Sequence, residues 1–414
     1  MEFKEKTTLL FKIGQVFRPG TPINKYDLLA GRQGQITDIL QAINQTGKHI
    51  VIFGERGVGK TSLSNVLSEF LTASGVDILM PANINCDSTD NFAKIWFKVF
   101  REIGVLLKTR NRETPIEINI KDDDLYYDTP DDIRYVLNSL AIPVIIVLDE
   151  VDRIQDNEVT TLLADTIKNL SDHGTPATLM LIGIADSVDG LIKEHLSVER
   201  SLAQVHLQRM STIELQKIIK TGEEHTGMVF ESEAAHHIVR LSAGLPHYTH
   251  TLASHAAYHA VEQDKLVVAM GDVNVAIKKT VESPGSLLSA YERATTSSRQ
   301  TLYPQVLLAC ALAGKSDLGY FTSASIRAPL ENITGKHYDI PAFSAHLDNF
   351  CSEDRGSILQ KSGKSRHFRF RFVNPLLQPF VIIHGLSKGL LEPSMLSFIE
   401  DPRHEIIDVP ALDI

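Results

Sequence analysis

Residues 54–61 read Gly-Glu-Arg-Gly-Val-Gly-Lys-Thr, the G-x-x-x-x-G-K-T spacing of a loop that cradles phosphate. Gly54, Gly57 and Gly59 let the backbone turn its N–H groups inward around phosphate oxygens, with Glu55, Arg56 and Val58 completing the turn. Lys60 brings a point charge to the β- and γ-phosphates, the Thr61 hydroxyl is placed for Mg2+, and Ser62 continues the helix that follows. A chance glycine turn before a helix is the bland alternative. Both flanks oppose it: the apolar run His49-Ile-Val-Ile-Phe53 precedes the loop and the helical pattern of residues 62–71 follows it. The chemistry implied is the binding of a nucleoside triphosphate.

A second constellation ends another apolar run, Pro143-Val-Ile-Ile-Val-Leu148. Here Asp149 is placed to hold Mg2+ or its water, and Glu150 to polarise an attacking water as general base. An acidic cluster capping a helix at 153–157 is the competing reading. The run Thr178–Ile184 leads into Asp186 and Ser187, which either hydrogen-bond the water or γ-phosphate or cap a helix at 187–194. Arg200, with Arg209 as rival, is a candidate for stabilising transition-state charge on a neighbouring subunit's nucleotide; a solvated arginine is the alternative for each. Gly244-Leu-Pro-His247 opens a helix that also carries His255 and His259 at i, i+4 spacing. No Glu or Cys joins them at ligand spacing, so a polar helix face is the better reading than a metal site.

The third constellation is electrostatic. Between Arg355 and Leu391 there is no Asp or Glu, while Arg355, Lys361, Lys364, Arg366, Arg369, Arg371 and Lys388 stand there, in a chain of net charge −10. Strict alternation over 366–372 puts His367, Arg369 and Arg371 on one strand face and Phe368, Phe370 and Phe372 on the other. Lys361, Lys364, Arg366, Arg369 and Arg371 are therefore nucleic-acid candidates; a solvated face, or one touching the acidic tail, is the alternative.

The elements that must position these residues follow from periodicity. β-branched and apolar runs alternate with helical patterns up to about residue 210, which predicts an α/β domain with a parallel sheet. Helices at 212–225, 231–242, 246–262 and 271–282 follow without strands. Residues 283–298, rich in Ser, Thr and Gly, read as a linker. Helices at 299–313, 322–332 and 341–353 and two strands at 358–361 and 366–372 then suit a winged helix. The expected division is an extended N-terminal segment (1–30), an ATPase domain (31–210), a helical lid (211–283), a winged-helix domain (295–390) and an acidic tail (391–414). Residues 108–132 read as a polar insertion.

At 414 residues the chain is long enough for two to three domains. Three scattered cysteines, Cys86, Cys310 and Cys351, suggest inert thiols, and no apolar run reaches the ~20 residues of a membrane span. The N-terminus lacks a signal-peptide core, so a cytoplasmic protein is expected.

In this order the motifs resemble AAA+ ATPases of the origin-recognition initiator type, closest to stand-alone prokaryotic members, some of which accompany mobile elements or defence systems. The carrying residues are Phe17-Arg-Pro-Gly-Thr-Pro22, Gly31-Arg32, Gly54–Thr61, Leu148–Asp152, Ile182–Asp186, Glu199–Leu202, Met210–Leu215 and Gly244–His247. The resemblance implies that Arg32 lies near the adenine of ATP, that Asp186 and His247 take the two sensor positions, and that Arg200 is the arginine finger. Two departures stand out: the first sensor is usually Asn and the second usually Arg. A His holds a γ-phosphate less firmly than Arg, which points to slow turnover. The function expected is an ATP-driven switch that assembles with ATP, as a homo-oligomer or with a partner protein, and engages double-stranded DNA through the winged helix. The alternative is a scaffold that docks a protein effector. No membrane role is implied.

Overall fold

The apolar runs of the sequence become neighbouring parallel strands in a computed structural model. It describes residues 1–112, 127–140, 142–185, 188–191, 198–283, 285–297, 301–364, 367–392 and 395–396. The chain divides into two compact units. One comprises Pro22–Glu55 and Gly59–Gln208; the other comprises Met1–Thr21, Arg56–Val58 and the chain from Arg209 onward. The first helix, α1 (Phe3–Val16), belongs to the latter.

The former unit is an α/β domain. Helix α2 (Gln33–Ile43) leads to strand β1 (His49–Phe53), the phosphate-loop sequence and helix α3 (Lys60–Ala73). Then come β2 (Ile84–Asn85), α4 (Phe92–Thr109), α5 (Pro130–Ser139), β3 (Val144–Asp149), α6 (Asn157–Asp172), β4 (Ala177–Gly183) and β5 (Leu202–His206). The five strands form one parallel sheet in the order β2-β3-β4-β1-β5. Every residue of β1, β3 and β4 is buried. That is why these strands are continuous apolar runs, since helices cover both faces of a parallel sheet. β4 is the middle strand, and β3 lies beside it in the sheet interior. The sequence offers two strand candidates here: residues 77–80 contribute only a bridge from Leu79 to Val144, while 82–85 supplies the paired strand Ile84–Asn85. The apolar stripe of α4 is buried through Trp96, Val99, Phe100 and Ile103, with Tyr127 tilted against Phe100 at 4.6 Å. Most of the expected insertion at 108–132 lies outside the described residues.

In the other unit the expected extended segment 1–30 is helical over Phe3–Val16. Leu9, Ile13 and Val16 recur at helical spacing and are buried, and a Glu2–Glu5 capping box starts the helix. It packs on helices α7 (Thr212–Thr226) and α9 (Pro246–Glu262). Between and after these come β6 (Val229–Phe230), α8 (Ser232–Leu241), β7 (Val267–Val268) and α10 (Met270–Glu282). The four helices expected between 212 and 282 stand where periodicity puts them. The short parallel pair β6–β7 corrects the strand-free reading, because two-residue strands leave no periodic signal.

The expected linker is likewise partly helical: α11 (Ser286–Thr295) buries Tyr291 and Ala294. Next follow α12 (Tyr303–Leu312), β8 (Phe321–Thr322), α13 (Ser323–Thr334), α14 (Ile340–Phe350), β9 (Leu359–Ser362), β10 (Arg369–Phe372) and α15 (Leu377–Ser387). β8, β10 and β9 make an antiparallel sheet in that order. α15 escaped the sequence reading because Phe380, Val381, Ile382 and Ile383 are all buried, so it has no polar face to reveal a period. No described helix is long and apolar enough to cross a membrane.

Candidate nucleotide site

The loop between β1 and α3 is shaped by its glycines. Gly54 (φ 149°) lies so close to the Leu207 carbonyl that a Cβ would overlap it, while Leu207 N–H bonds Phe53 O at 2.8 Å. Gly59 (φ 97°) is left-handed at the N-cap of α3. This aims the loop into the N-terminus of a 14-residue helix, whose unpaired N–H groups and dipole favour an anion. Lys60, the first residue of that helix, is buried, and its Nζ donates to the carbonyls of Gly54 (3.0 Å) and Glu55 (2.8 Å). The ammonium thus spans the mouth of the loop. Ser62 Oγ accepts from Ile23 N at 3.1 Å, fastening the segment before α2 to α3.

The end of β3 brings the acidic pair alongside. Thr61 Oγ1 donates to Asp149 Oδ2 at 2.7 Å, and Glu150 N donates to Asp149 Oδ1 at 2.8 Å. Asp149 is buried, and burial pushes its carboxyl above the usual carboxylate range against the pull of those two bonds. A buried carboxylate beside a hydroxyl is the oxygen donor pair that a small hard cation takes. Glu150 has a left-handed backbone (φ 58°, ψ 36°) and pairs with Arg153 at 2.7 Å. Asp152 accepts from Ile184 N at 2.7 Å, tying the end of β3 to the end of β4. Sequence reading missed Arg153 and Asp152; the i, i+3 spacing of Glu150 and Arg153 was the available signal.

Other sequence candidates fall as follows. Arg32 is left-handed (φ 67°) and buried, and its Nη2 donates to Gln208 O at 2.7 Å. Arg200 keeps its guanidinium 80% exposed, paired with Asp172 at 3.0 Å, while its carbonyl accepts from Lys48 Nζ at 2.6 Å. Asp186, Ser187 and Arg366 lie outside the described residues.

In the other unit, Arg209 donates to Ala243 O (3.1 Å) and Gln378 Oε1 (2.7 Å), a structural clasp rather than an exposed finger. His247 Nδ1 donates to Pro19 O at 2.9 Å, and burial lowers its pKa against the pull of that bond. His259 bonds Asp272 at 2.6 Å and His255 faces Thr280 at 3.4 Å; both rings thus have partners. Cys86 and Cys310 are buried and Cys351 is half-buried, and burial raises all three thiols.

A phosphate loop after β1, an acidic pair after β3 and a parallel sheet with β4 between these strands define a P-loop nucleotide-binding fold. Residues 43–192 match the family model of the AAA domain. The Walker-type ATPase PABY2304 of Pyrococcus abyssi superposes with a TM-score of 0.55 at 15% identity, over 88% of this chain and 99% of that one. The ORC2 protein of Aeropyrum pernix, solved as ADPNP and ADP complexes, gives 0.49 at 14% identity, over 92% and 97%. The Aeropyrum pernix ORC1 protein in complex with DNA gives 0.48 at 15%, over 88% and 94%. At these identities likeness speaks to fold alone, and the first match carries it. No curated protein matches the sequence.

Proposed function

We propose that this chain is an ATP-hydrolysing AAA+ switch that assembles with ATP and engages double-stranded DNA through a C-terminal winged-helix domain. The observation that supports it most is the convergence of Lys60, Thr61, Asp149 and Glu150 at the C-terminal edge of one sheet. In this reading Lys60 and the loop N–H groups hold the phosphates, and Thr61 and Asp149 hold Mg2+. When bound, that ion neutralises charge on the β- and γ-oxygens. Glu150 takes the proton of the attacking water once its carboxylate leaves Arg153. Arg200, exposed, acts on a neighbouring subunit. A His at the second-sensor position, where Arg is usual, favours slow turnover. The proposed domain bounds are 31–210, 211–283 and 295–390, with a tail over 391–414. The order helix, strand, two helices, two strands, with sheet order β8-β10-β9, supports the winged-helix reading.

The second reading is a nucleotide-held scaffold for a protein effector. The net charge of −10 and the neutralisation of Lys361 by Asp348 at 2.7 Å favour it. Duplex-DNA binding by the full chain across a salt series separates the two, with Arg366, Arg369 and Arg371 changed together to Ala as control. Salt-sensitive affinity that the triple change abolishes supports the DNA switch. Absent binding at low salt, or binding that ignores the change, favours the scaffold.

A further inference from the structure

Resting on the DNA reading proposed above, two elements of the C-terminal domain stand ready to meet a duplex: helix α14 and the β9–β10 hairpin. Their chemistry differs sharply. α14 turns Phe343, Leu347 and Phe350 into the core. Its exposed residues are Ile340, Pro341, Ala342, Ala345, Asp348 and Asn349. None is a cation and one is an anion. Phosphates are held chiefly by Arg and Lys, and base edges are read chiefly by Arg, Lys, Asn and Gln. Asn349 alone has a reading side chain, and its amide already donates to Tyr303 Oη at 2.6 Å.

The hairpin is the reverse. It turns through left-handed Gly363 (φ 100°), which leaves Lys364 exposed at the tip. Arg369 and Arg371 lie on one face of β10, 4.3 and 4.8 Å from the ring centroid of Tyr320. Arg371 also donates from Nε to Gln360 Oε1 at 2.9 Å. On the opposite face Phe370 and Phe372 are buried against Phe321. Stacking on an aromatic ring fixes the plane of a guanidinium. Lys361 is treated differently: Asp348 of α14 holds its ammonium at 2.7 Å, above the Phe368 ring.

We propose that the hairpin grips the phosphate backbone of duplex DNA through Lys364, Arg369 and Arg371 without regard to sequence. α14 does not read bases, and Asp348 sets the strength of the grip by withholding Lys361. The test is fluorescence anisotropy of the full chain on two duplexes of equal length and unrelated sequence, across a salt series. Both duplexes are expected to bind within about twofold of each other. The log–log salt slope is expected on the order of −3, from about −0.9 per phosphate contacted. Asp348→Asn releases Lys361, so it tightens binding and steepens the slope by about one. Arg369→Ala with Arg371→Ala weakens both duplexes alike. Ala342→Gln and Ala345→Gln, which lengthen exposed side chains of α14, leave affinity unchanged. A roughly tenfold preference for one duplex, or a similar loss with Ala345→Gln, overturns the proposal while the DNA reading stands. An Asp348→Asn variant with the wild-type slope overturns the role of that carboxylate. Binding to neither duplex at low salt brings down the DNA reading itself, and this proposal with it.

Discussion

Thr61 Oγ1 donates to Asp149 Oδ2 at 2.7 Å, joining residues 88 positions apart at the ends of two different elements. A hydroxyl at the start of α3 and a carboxylate at the end of β3 meet because β4 holds β1 and β3 on its two sides in parallel register. That places both oxygens at the sheet edge where α/β domains bind ligands.

Lys60→Ala removes the ammonium that spans the loop. ATP with Mg2+ should raise the unfolding temperature of the wild-type chain, because ligand at a hundred times Kd adds about 2.7 kcal/mol. The variant should show little or no shift in differential scanning fluorimetry. An equal shift would place nucleotide binding elsewhere.

Glu150→Gln keeps shape and removes the base. Turnover should fall by about 10²–10⁴ while the ATP-dependent thermal shift persists. Unchanged turnover sinks the assignment. The Glu150–Arg153 pair is half exposed on both sides, so breaking it with Arg153→Ala should cost under about 1 kcal/mol of stability. Any change in that variant's turnover therefore reports on Glu150 rather than on unfolding.

Arg200→Ala tests action between subunits. The side chain is 80% exposed and pairs with Asp172 at 3.0 Å. If it serves a neighbour, kcat should drop by about 10³ or more, and mixing with Lys60→Ala should restore part of the activity. Each inactive chain then supplies what the other lacks. No recovery on mixing, with an Asp172→Asn control behaving as wild type, would confine Arg200 to its own chain.

Acid should weaken both units. His49 and His250 are buried, and burial lowers each ring to about 4. Between about pH 6.5 and 4 the unfolded chain binds these protons and the folded chain does not, so stability falls as pH falls, by an order of about 3 kcal/mol per ring at most. Above about pH 6.5 both states are neutral and the effect vanishes. Urea midpoints measured across this window should decline, and His250→Phe should flatten the slope. A His250→Phe slope equal to wild type would remove this ring from the account.

Gly222→Ala probes the seat of the N-terminal segment. A Cβ there would overlap the ring of Phe17, which is 1% exposed and edge-on to Phe230 at 5.9 Å. Overpacking of this kind costs about 1–3 kcal/mol. Limited proteolysis should cut near residue 17 faster in the variant; an unchanged rate would mean the ring moves aside freely.

The helices between 212 and 282 and the strands β1, β3 and β4 were legible because each has a period or an unbroken apolar run. Elements without either were not. α15 is buried nearly all round, β6 and β7 are two residues long, and α1 is half polar. The hairpin alternation predicted which faces Arg369, Arg371, Phe370 and Phe372 take. It did not predict that Phe368 stays exposed beneath Lys361.

Local spacing alone determined the phosphate loop, the acidic pair and the expectation of a parallel sheet, because backbone freedom at glycine and side-chain period are properties of neighbours in the chain. Only the tertiary structure decided what the charges do. It gave Glu150 to Arg153, Lys361 to Asp348, Arg209 to Gln378 and His247 to Pro19. A charged or polar group's role depends on what lies within a few ångströms in space and on how much water it keeps, and for most of these pairs the partner is distant in sequence.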